Sequence, residues 1–223
     1  MIVGVIIQAR QTSSRLPNKV LKKIGKITVI ELIIKRLLKS KLFDKIIIAI
    51  PQNKKNDLLY KFLFTRKIKV FRGSEKNVLD RYYKAAKFYK INTIIRVTAD
   101  CPLIDTKLIE KGLNVFKKNK YNFVSNTITR SFPDGLDFSI FSYDLLKKRW
   151  LAKNDEKERE HVTVKMKKFS HKKTFNVKNN VDFSRYRWTL DNEIDLKKIK
   201  KIYKSFSPNI YFSWKDVLNK GFK

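Results

Sequence analysis

The sequence predicts an α/β domain in which a mostly parallel sheet carries helices on both faces. Three nearly continuous apolar, β-branched runs, at residues 3–7, 45–50 and 93–98, read as strands buried on both sides. Segments with apolar residues at helical spacing lie between them, in the rhythm of right-handed βαβ crossovers. The 223 residues, 43% of them hydrophobic, suit one domain over 1–223 with a sizeable core and a small excursion at about 126–178.

The first strand is Val3, Val5, Ile6 and Ile7, interrupted only by Gly4. The loop after it carries Arg10, Arg15 and Lys19 among Thr12, Ser13 and Ser14. Ligands of open α/β sheets lie beyond the carboxyl ends of the strands, and three cations there call for a polyanion such as a nucleoside triphosphate. GxxxxGK[ST] is absent, so side-chain cations take over much of what backbone amides do in a P-loop. Pro17 biases Leu16 toward extended backbone, and Asn18 tolerates a left-handed one.

Thr28 and Glu31 form a capping box for the next helix. Residues 57–65 and 78–89 read as helices, 69–71 as a short strand, and Arg72-Gly73-Ser74 as a turn. The third long strand ends at Ala99-Asp100-Cys101-Pro102, and Asp105 or Thr106 caps a helix running to about 118. Past Tyr121 the rhythm changes. Residues 123–125 and 138–141 read as strands around Phe132-Pro133-Asp134-Gly135, 142–152 as a helix, 154–160 as a charged run and 162–168 as a helix. Residues 173–177 read as a strand returning to the sheet, 187–189 as a strand edge, 193–205 as the closing helix and 213–219 as a short helix.

Fifty-two Lys and Arg against 20 Asp and Glu give a net charge of +32. Charge of that size by itself points to nucleic acid or an anionic membrane surface. The excess is lysine, dispersed in pairs such as Lys117-Lys118 and Lys147-Lys148 and without arginine–aromatic clustering, so neither a specific nucleic acid nor a membrane is expected as a partner. No apolar run is long enough to span a membrane, and Met1 leads straight into a strand; the expected location is cytoplasmic. One cysteine and two histidines exclude a disulfide framework and a conventional structural zinc site. Cys101 reads as a packed thiol with no base beside it, and His171 as a surface residue.

The stretch QARQTSSRLPNKVL resembles the signature of the sugar-activating cytidylyltransferases. It is most similar to the spore-coat polysaccharide branch, relatives of the KDO and acylneuraminate cytidylyltransferases. The similarity continues in order through VFRGSEKNVLDRYYKAA, IIRVTADCPLID, SNTITRSFPDGLDFSIFS, EREHVT and RWTLDNEIDL, and so covers most of the chain. It implies a Rossmann-like fold, a homodimer built partly by the excursion, and transfer of CMP from CTP to a sugar or sugar acid with release of pyrophosphate. It further implies that backbone near Ala9 and the side chains of Arg10, Arg15 and Lys19 meet CTP. Arg72, Ser74 and Thr98 would hold the base and ribose, and Asp100 and Asp191 would hold Mg2+, a cation commonly bound by one or two carboxylates plus phosphates. Arg10, Lys19 and Asp100 are the implied catalytic groups. Asn126, Asp134, Asp137, Glu160 and His161 lie in segments resembling the acceptor pocket and subunit contacts.

Each of these has a plainer alternative: Asp100 and Asp191 are also ordinary caps for the turn or helix that follows, and the polar groups of the acceptor segments also suit backbone bonds. Three departures stand out. Asn18 replaces the usual Gly, Gly25-Lys26-Ile27 replaces GKP, and Ala99 adds a methyl group where glycine precedes the aspartate. Two other readings remain: an enzyme of the same fold using another nucleotide or a non-sugar acceptor (a phosphonate or polyol phosphate), and a basic nucleic-acid-binding protein.

Overall fold

The computed structural model describes residues 1–170 and 173–222, so the surface reading of His171 lies outside the described residues. Strand β1 (Val3–Gln8) leads through a 3-10 turn at Lys19–Leu21 and a hairpin, β2 (Lys23–Ile24) and β3 (Ile27–Thr28), into α1 (Val29–Leu38). There follow β4 (Lys45–Pro51), α2 (Asp57–Phe64), β5 (Lys69–Gly73), α3 (Val78–Phe88), β6 (Thr93–Thr98) and α4 (Thr106–Lys118). The rest of the chain is β7 (Phe123–Ser125), β8 (Ser139–Ser142), α5 (Tyr143–Leu151), α6 (Glu156–Glu160), α7 (Met166–Phe169), β9 (Thr174–Asn176), α8 (Glu193–Phe206) and α9 (Trp214–Asn219).

The main sheet has the order β5-β4-β1-β6-β8-β7-β9. Its β5, β4, β1 and β6 are mutually parallel, β8 is antiparallel to both neighbours, and β9 is parallel to β7. The strand alternation explains the burial. Val3, Val5 and Ile7 of β1 join the core with α1, α4 and α8, whereas Ile6 faces the core shared with α3 and α5. Gly4 interrupts the apolar run because a Cβ there would overlap the Ile91 side chain. Segment 126–178 sends β8 and β9 into the same sheet.

The Thr28–Glu31 capping box is formed: Glu31 N donates to Thr28 Oγ1 at 3.3 Å, and Thr28 N donates to Glu31 Oε2 at 2.8 Å. On the same helix Arg36 is 3% exposed and donates to the carbonyls of Ile104 (2.8 Å), Ile210 (2.5 Å) and Phe212 (2.8 Å). It ties α1 to the chain after β6 and to the C-terminal segment.

Four local readings change. Arg72 and Gly73 complete β5 instead of forming a turn. The charged run before residue 160 folds as α6, capped by Asp155, because Glu158 turns inward to Arg149 at 3.4 Å and Lys165 at 2.6 Å. The helix read at 162–168 is shortened to α7. Residues 187–189 supply only an isolated bridge, Asp134 to Arg187.

Candidate active site

The loop after β1 is held by side-chain amides. Gln11 N donates to Asn56 Oδ1 (2.9 Å), Gln11 Nε2 donates to Asn18 Oδ1 (2.8 Å), and Gln11 Oε1 accepts from Leu59 N (2.7 Å). Asn56 is fully buried. Asn18 adopts φ 56°, the left-handed conformation that its short amide tolerates, and so keeps the turn without a glycine. Leu16 is buried beneath the loop, and Ala9 N donates to Ala49 O at 3.2 Å. That bond occupies the Ala9 amide, so contact between a ligand and this backbone falls to neighbouring groups. The loop is thus shaped before any ligand arrives.

Lys19 opens the 3-10 turn and reaches across the carboxyl end of the sheet. Its Nζ donates to Leu190 O (3.0 Å) and Asp191 Oδ1 (3.0 Å), and lies 3.8 Å from Asp100 Oδ2. The backbone makes this meeting possible: Leu190 N donates to Asp100 O at 2.8 Å, which draws the approach to α8 onto the end of β6. Two aspartates far apart in sequence therefore share one lysine. Asp191 also pairs with Arg187 at 2.8 Å and Arg15 at 3.5 Å. Burial works to raise the Asp191 carboxyl, but hydrogen bonds from Arg187 and Lys19 outweigh it and hold the group below the usual carboxylate range.

The network extends toward the acceptor-side segments. Arg187 bonds Asp195 at 3.1 Å and Asp134 at 3.3 Å, and Arg130 pairs with Asp137 at 2.7 Å and Asp134 at 3.3 Å. Burial and the Asp137 charge push Asp134 upward despite these arginines. Gly135 permits the arrangement: it has φ +107°, and a Cβ there would lie 2.7 Å from the carbonyl carbon of Trp188.

Other expected residues lie outside the Lys19–Asp100–Asp191 ion pairs. Arg10 is exposed and has no ion-pair partner among the described residues. Arg72 is bound to Asp57 at 2.6 Å and to Asn53 O at 3.1 Å, and Ser74 Oγ accepts from Asn77 N at 3.0 Å. Arg72 thus ties β5 to the start of α2, and Ser74 shapes the loop ahead of α3. Thr98 Oγ1 lies 3.2 Å from Cys101 Sγ. Cys101 is buried, and burial together with Asp100 raises its thiol well above the ordinary value, as suits a packed cysteine.

Asn126 takes the backbone-bonding alternative. It is 2% exposed, its Nδ2 donates to Leu136 O and its Oδ1 accepts from Phe138 N, both at 2.9 Å, so its amide is spent on backbone. Glu160 and His161 are exposed at the end of α6, and no hydrogen bond or ion pair links them to the Lys19–Asp100–Asp191 network. In EREHVT the inward carboxylate is Glu158, on the Arg149 side.

Two arginines were missed. Arg81 is 3% exposed and donates to Ser74 O; burial, with Arg10 nearby, brings its guanidinium down to about 10. Arg96 donates to Gln8 Oε1 at 3.0 Å, and the Nε atoms of both arginines are buried with no hydrogen-bond partner among the described residues. An arginine inside the otherwise apolar run of β6 was the available signal.

No group of three or more His, Cys, Asp or Glu side chains able to hold a metal occurs among the described residues. Asp100 and Asp191 nevertheless fit a hard cation that takes its remaining oxygens from phosphates and water, and a cationic ammonium already bridges them.

A family model described as cytidylyltransferase matches residues 4–213, a span that takes in β1 from Gly4 onward, the basic loop, Asp100 and Asp191. The chain belongs to the cytidylyltransferase family. Among proteins of similar sequence is the uncharacterized protein MJ1063 of Methanocaldococcus jannaschii, 43% identical over 162 residues, covering 73% of this chain and 65% of that protein. The chain thus spans somewhat less than two thirds of that relative. The spore coat polysaccharide biosynthesis protein SpsF of Bacillus subtilis is 30% identical over 211 residues, 89% of this chain and 85% of that protein. A solved cytidylyltransferase from Leptospira borgpetersenii superposes with a TM-score of 0.93 at 33% identity, over 99% of this chain and 93% of that one. The cytidylyltransferase fold is therefore shared end to end, mixed sheet included. No helix among the described residues is long and apolar enough to cross a membrane.

Proposed function

We propose that this protein activates a sugar or sugar acid with CTP in a Mg2+-dependent reaction, giving a CMP-linked product and pyrophosphate. The observation that carries the reading is the meeting of Lys19, Asp100 and Asp191 at the carboxyl ends of β1 and β6, beside a loop that also presents Arg10 and Arg15. The acceptor oxygen bonds to the α-phosphorus of CTP as the bond from that phosphorus to the bridging oxygen breaks. Pyrophosphate leaves with the electron pair, and the acceptor proton passes to solvent.

Such chemistry needs positioning and charge stabilisation more than covalent help from the protein. Arg10, Arg15 and Lys19 neutralise the phosphates. Asp100 and Asp191 would hold Mg2+, which supplies Lewis-acid stabilisation of phosphate charge when bound. Arg72, Ser74 and Thr98 border the nucleoside side. Asp134 and Asp137, fixed by Arg130 and Arg187, face the acceptor side and suit sugar hydroxyls. Asn126 supports that loop from beneath, and Glu160 and His161 lie on an exposed surface suited to subunit contact in a homodimer. A cytosolic setting supplies the nucleotide.

Pyrophosphate release measured over CTP, ATP, GTP and UTP, with neutral sugars, sugar acids, polyol phosphates and phosphonates as acceptors, tests the reading. CTP with a sugar-type acceptor is expected to be fastest. Equal rates with all triphosphates would overturn the base assignment, and turnover only on a polyol phosphate or phosphonate would overturn the acceptor class.

A further inference from the structure

We propose that Lys19 is a built-in counter-ion that occupies the metal position of the nucleotide-free protein and leaves it for the incoming triphosphate, so that the metal arrives with the nucleotide and not before it. The inference rests on reading Asp100 and Asp191 as the metal carboxylates. An ammonium has three donors, and here its surroundings offer three oxygens: Leu190 O at 3.0 Å, Asp191 Oδ1 at 3.0 Å and Asp100 Oδ2 at 3.8 Å. The side chain is 13% exposed, so this is a seated cation and not a solvated one.

The seat governs the metal. A divalent ion approaching Asp100 and Asp191 meets a positive charge within 4 Å of both carboxylates. Like charges at that distance repel strongly in a partly buried site. Asp191 is further neutralised by Arg187 and Arg15, which leaves little net attraction for a free cation. Asp100 has no other ion-pair partner among the described residues. A triphosphate reverses the balance. It offers Lys19 anionic oxygens on the loop side, and the flexible four-carbon stem swings by side-chain rotation alone. The backbone stays fixed, because Lys19 N is held to Leu16 O at 3.2 Å and Lys22 N to Lys19 O at 3.2 Å. The vacated carboxylates then accept a metal whose remaining ligands come with the nucleotide.

The test is Mn2+ titration of the nucleotide-free full chain, read from the free-ion electron paramagnetic resonance signal. Wild type should bind Mn2+ weakly. Lys19→Gln and Lys19→Met should each bind it roughly tenfold more tightly or better, and adding Asp100→Asn should abolish the gain. Lys19→Gln keeps a donor for Leu190 O and so guards against misfolding of the methionine variant. A parallel melt should show Mn2+ raising the melting temperature of Lys19→Gln but not of wild type. Equal Mn2+ affinity in wild type and both variants would overturn the proposal, as would a gain that survives Asp100→Asn. The two readings fail separately. A folded variant without the gain, in a protein that turns over CTP with Mg2+, sinks the counter-ion role alone, whereas the gain in a protein inert toward CTP sinks the proposed reaction alone.

Discussion

Replacing Asn126 by alanine removes hydrogen bonds from two backbone groups, Leu136 O and Phe138 N, for which no other partner is seen among the described residues. Leu136 O loses the Nδ2 donor and Phe138 N loses the Oδ1 acceptor, each now at 2.9 Å, in a site 2% exposed to solvent. A buried polar group left unsatisfied costs about 1–3 kcal/mol, so the pair costs roughly 2–6 kcal/mol. For a chain of this size about 1 kcal/mol lowers the melting temperature by about 2–4 °C, which places the expected fall at roughly 4–24 °C. Asn126→Asp keeps the bond from Phe138 N but sets a buried carboxylate oxygen against Leu136 O, so it should be destabilised at least as much as alanine. Scanning calorimetry gives the stability change, and CTP affinity measured below the transition should stay within about twofold of wild type. An unchanged melting temperature together with a raised KM for the acceptor would refute the reasoning and return Asn126 to the substrate.

Three further outcomes follow from the same geometry. Gly135→Ala forces an L side chain into φ +107° against the Trp188 backbone, so it should destabilise by about 2–4 kcal/mol in urea unfolding and loosen the Asp134–Arg187 bridge; a neutral effect would contradict the placement of this turn. Asp191 is held below its unfolded value of 3.8, so its contribution is fully present above that value and is lost as pH falls through the lower folded value. The stability gap between wild type and Asp191→Asn should therefore be constant near neutrality and close below about pH 4; a gap that widens in acid would reverse the sign. Duplex DNA should bind weakly and be released near physiological salt in a filter assay, because the lysines are dispersed, whereas a salt-tolerant, site-specific complex would favour a nucleic-acid role.

Some of this was legible in the sequence because the signals are local. The Thr28–Glu31 capping box and the buried runs of β1, β4 and β6 depend on spacing alone, and each formed as read. The meeting of Asp100 with Asp191 was legible through the motifs on either side of them, not through spacing. What stayed hidden depends on partners distant in sequence. Arg36 sits on the buried face of α1 because its carbonyl acceptors come from residues 104, 210 and 212, which no periodicity reveals. Glu158 went unread, and Asn126 stayed open between substrate and backbone, for a similar reason: a polar side chain in a polar-looking segment gives no sign of whether it turns inward. Arg72 was taken for a turn because Arg-Gly-Ser is turn-like in composition, yet pairing with Ile50 keeps it in β5. Tertiary pairing overrode local preference there.

We propose that Asp100 and Asp191 act together to hold Mg2+ for CTP. This is tested most directly by calorimetric titration of CTP into wild type, Asp100→Asn, Asp191→Asn and the double variant, each with Mg2+ and with EDTA. No acceptor is needed. In wild type Mg2+ should tighten CTP binding by roughly a hundredfold, equivalent to about 2.7 kcal/mol. Each single variant should lose most of that gain, and the double variant should lose no more than the worse single one, since either change spoils the same site. Additive losses, or an Asp191→Asn protein that keeps the full Mg2+ effect while melting at a lower temperature, would contradict a shared metal site and leave Asp191 as a structural anchor for Lys19 and Arg187.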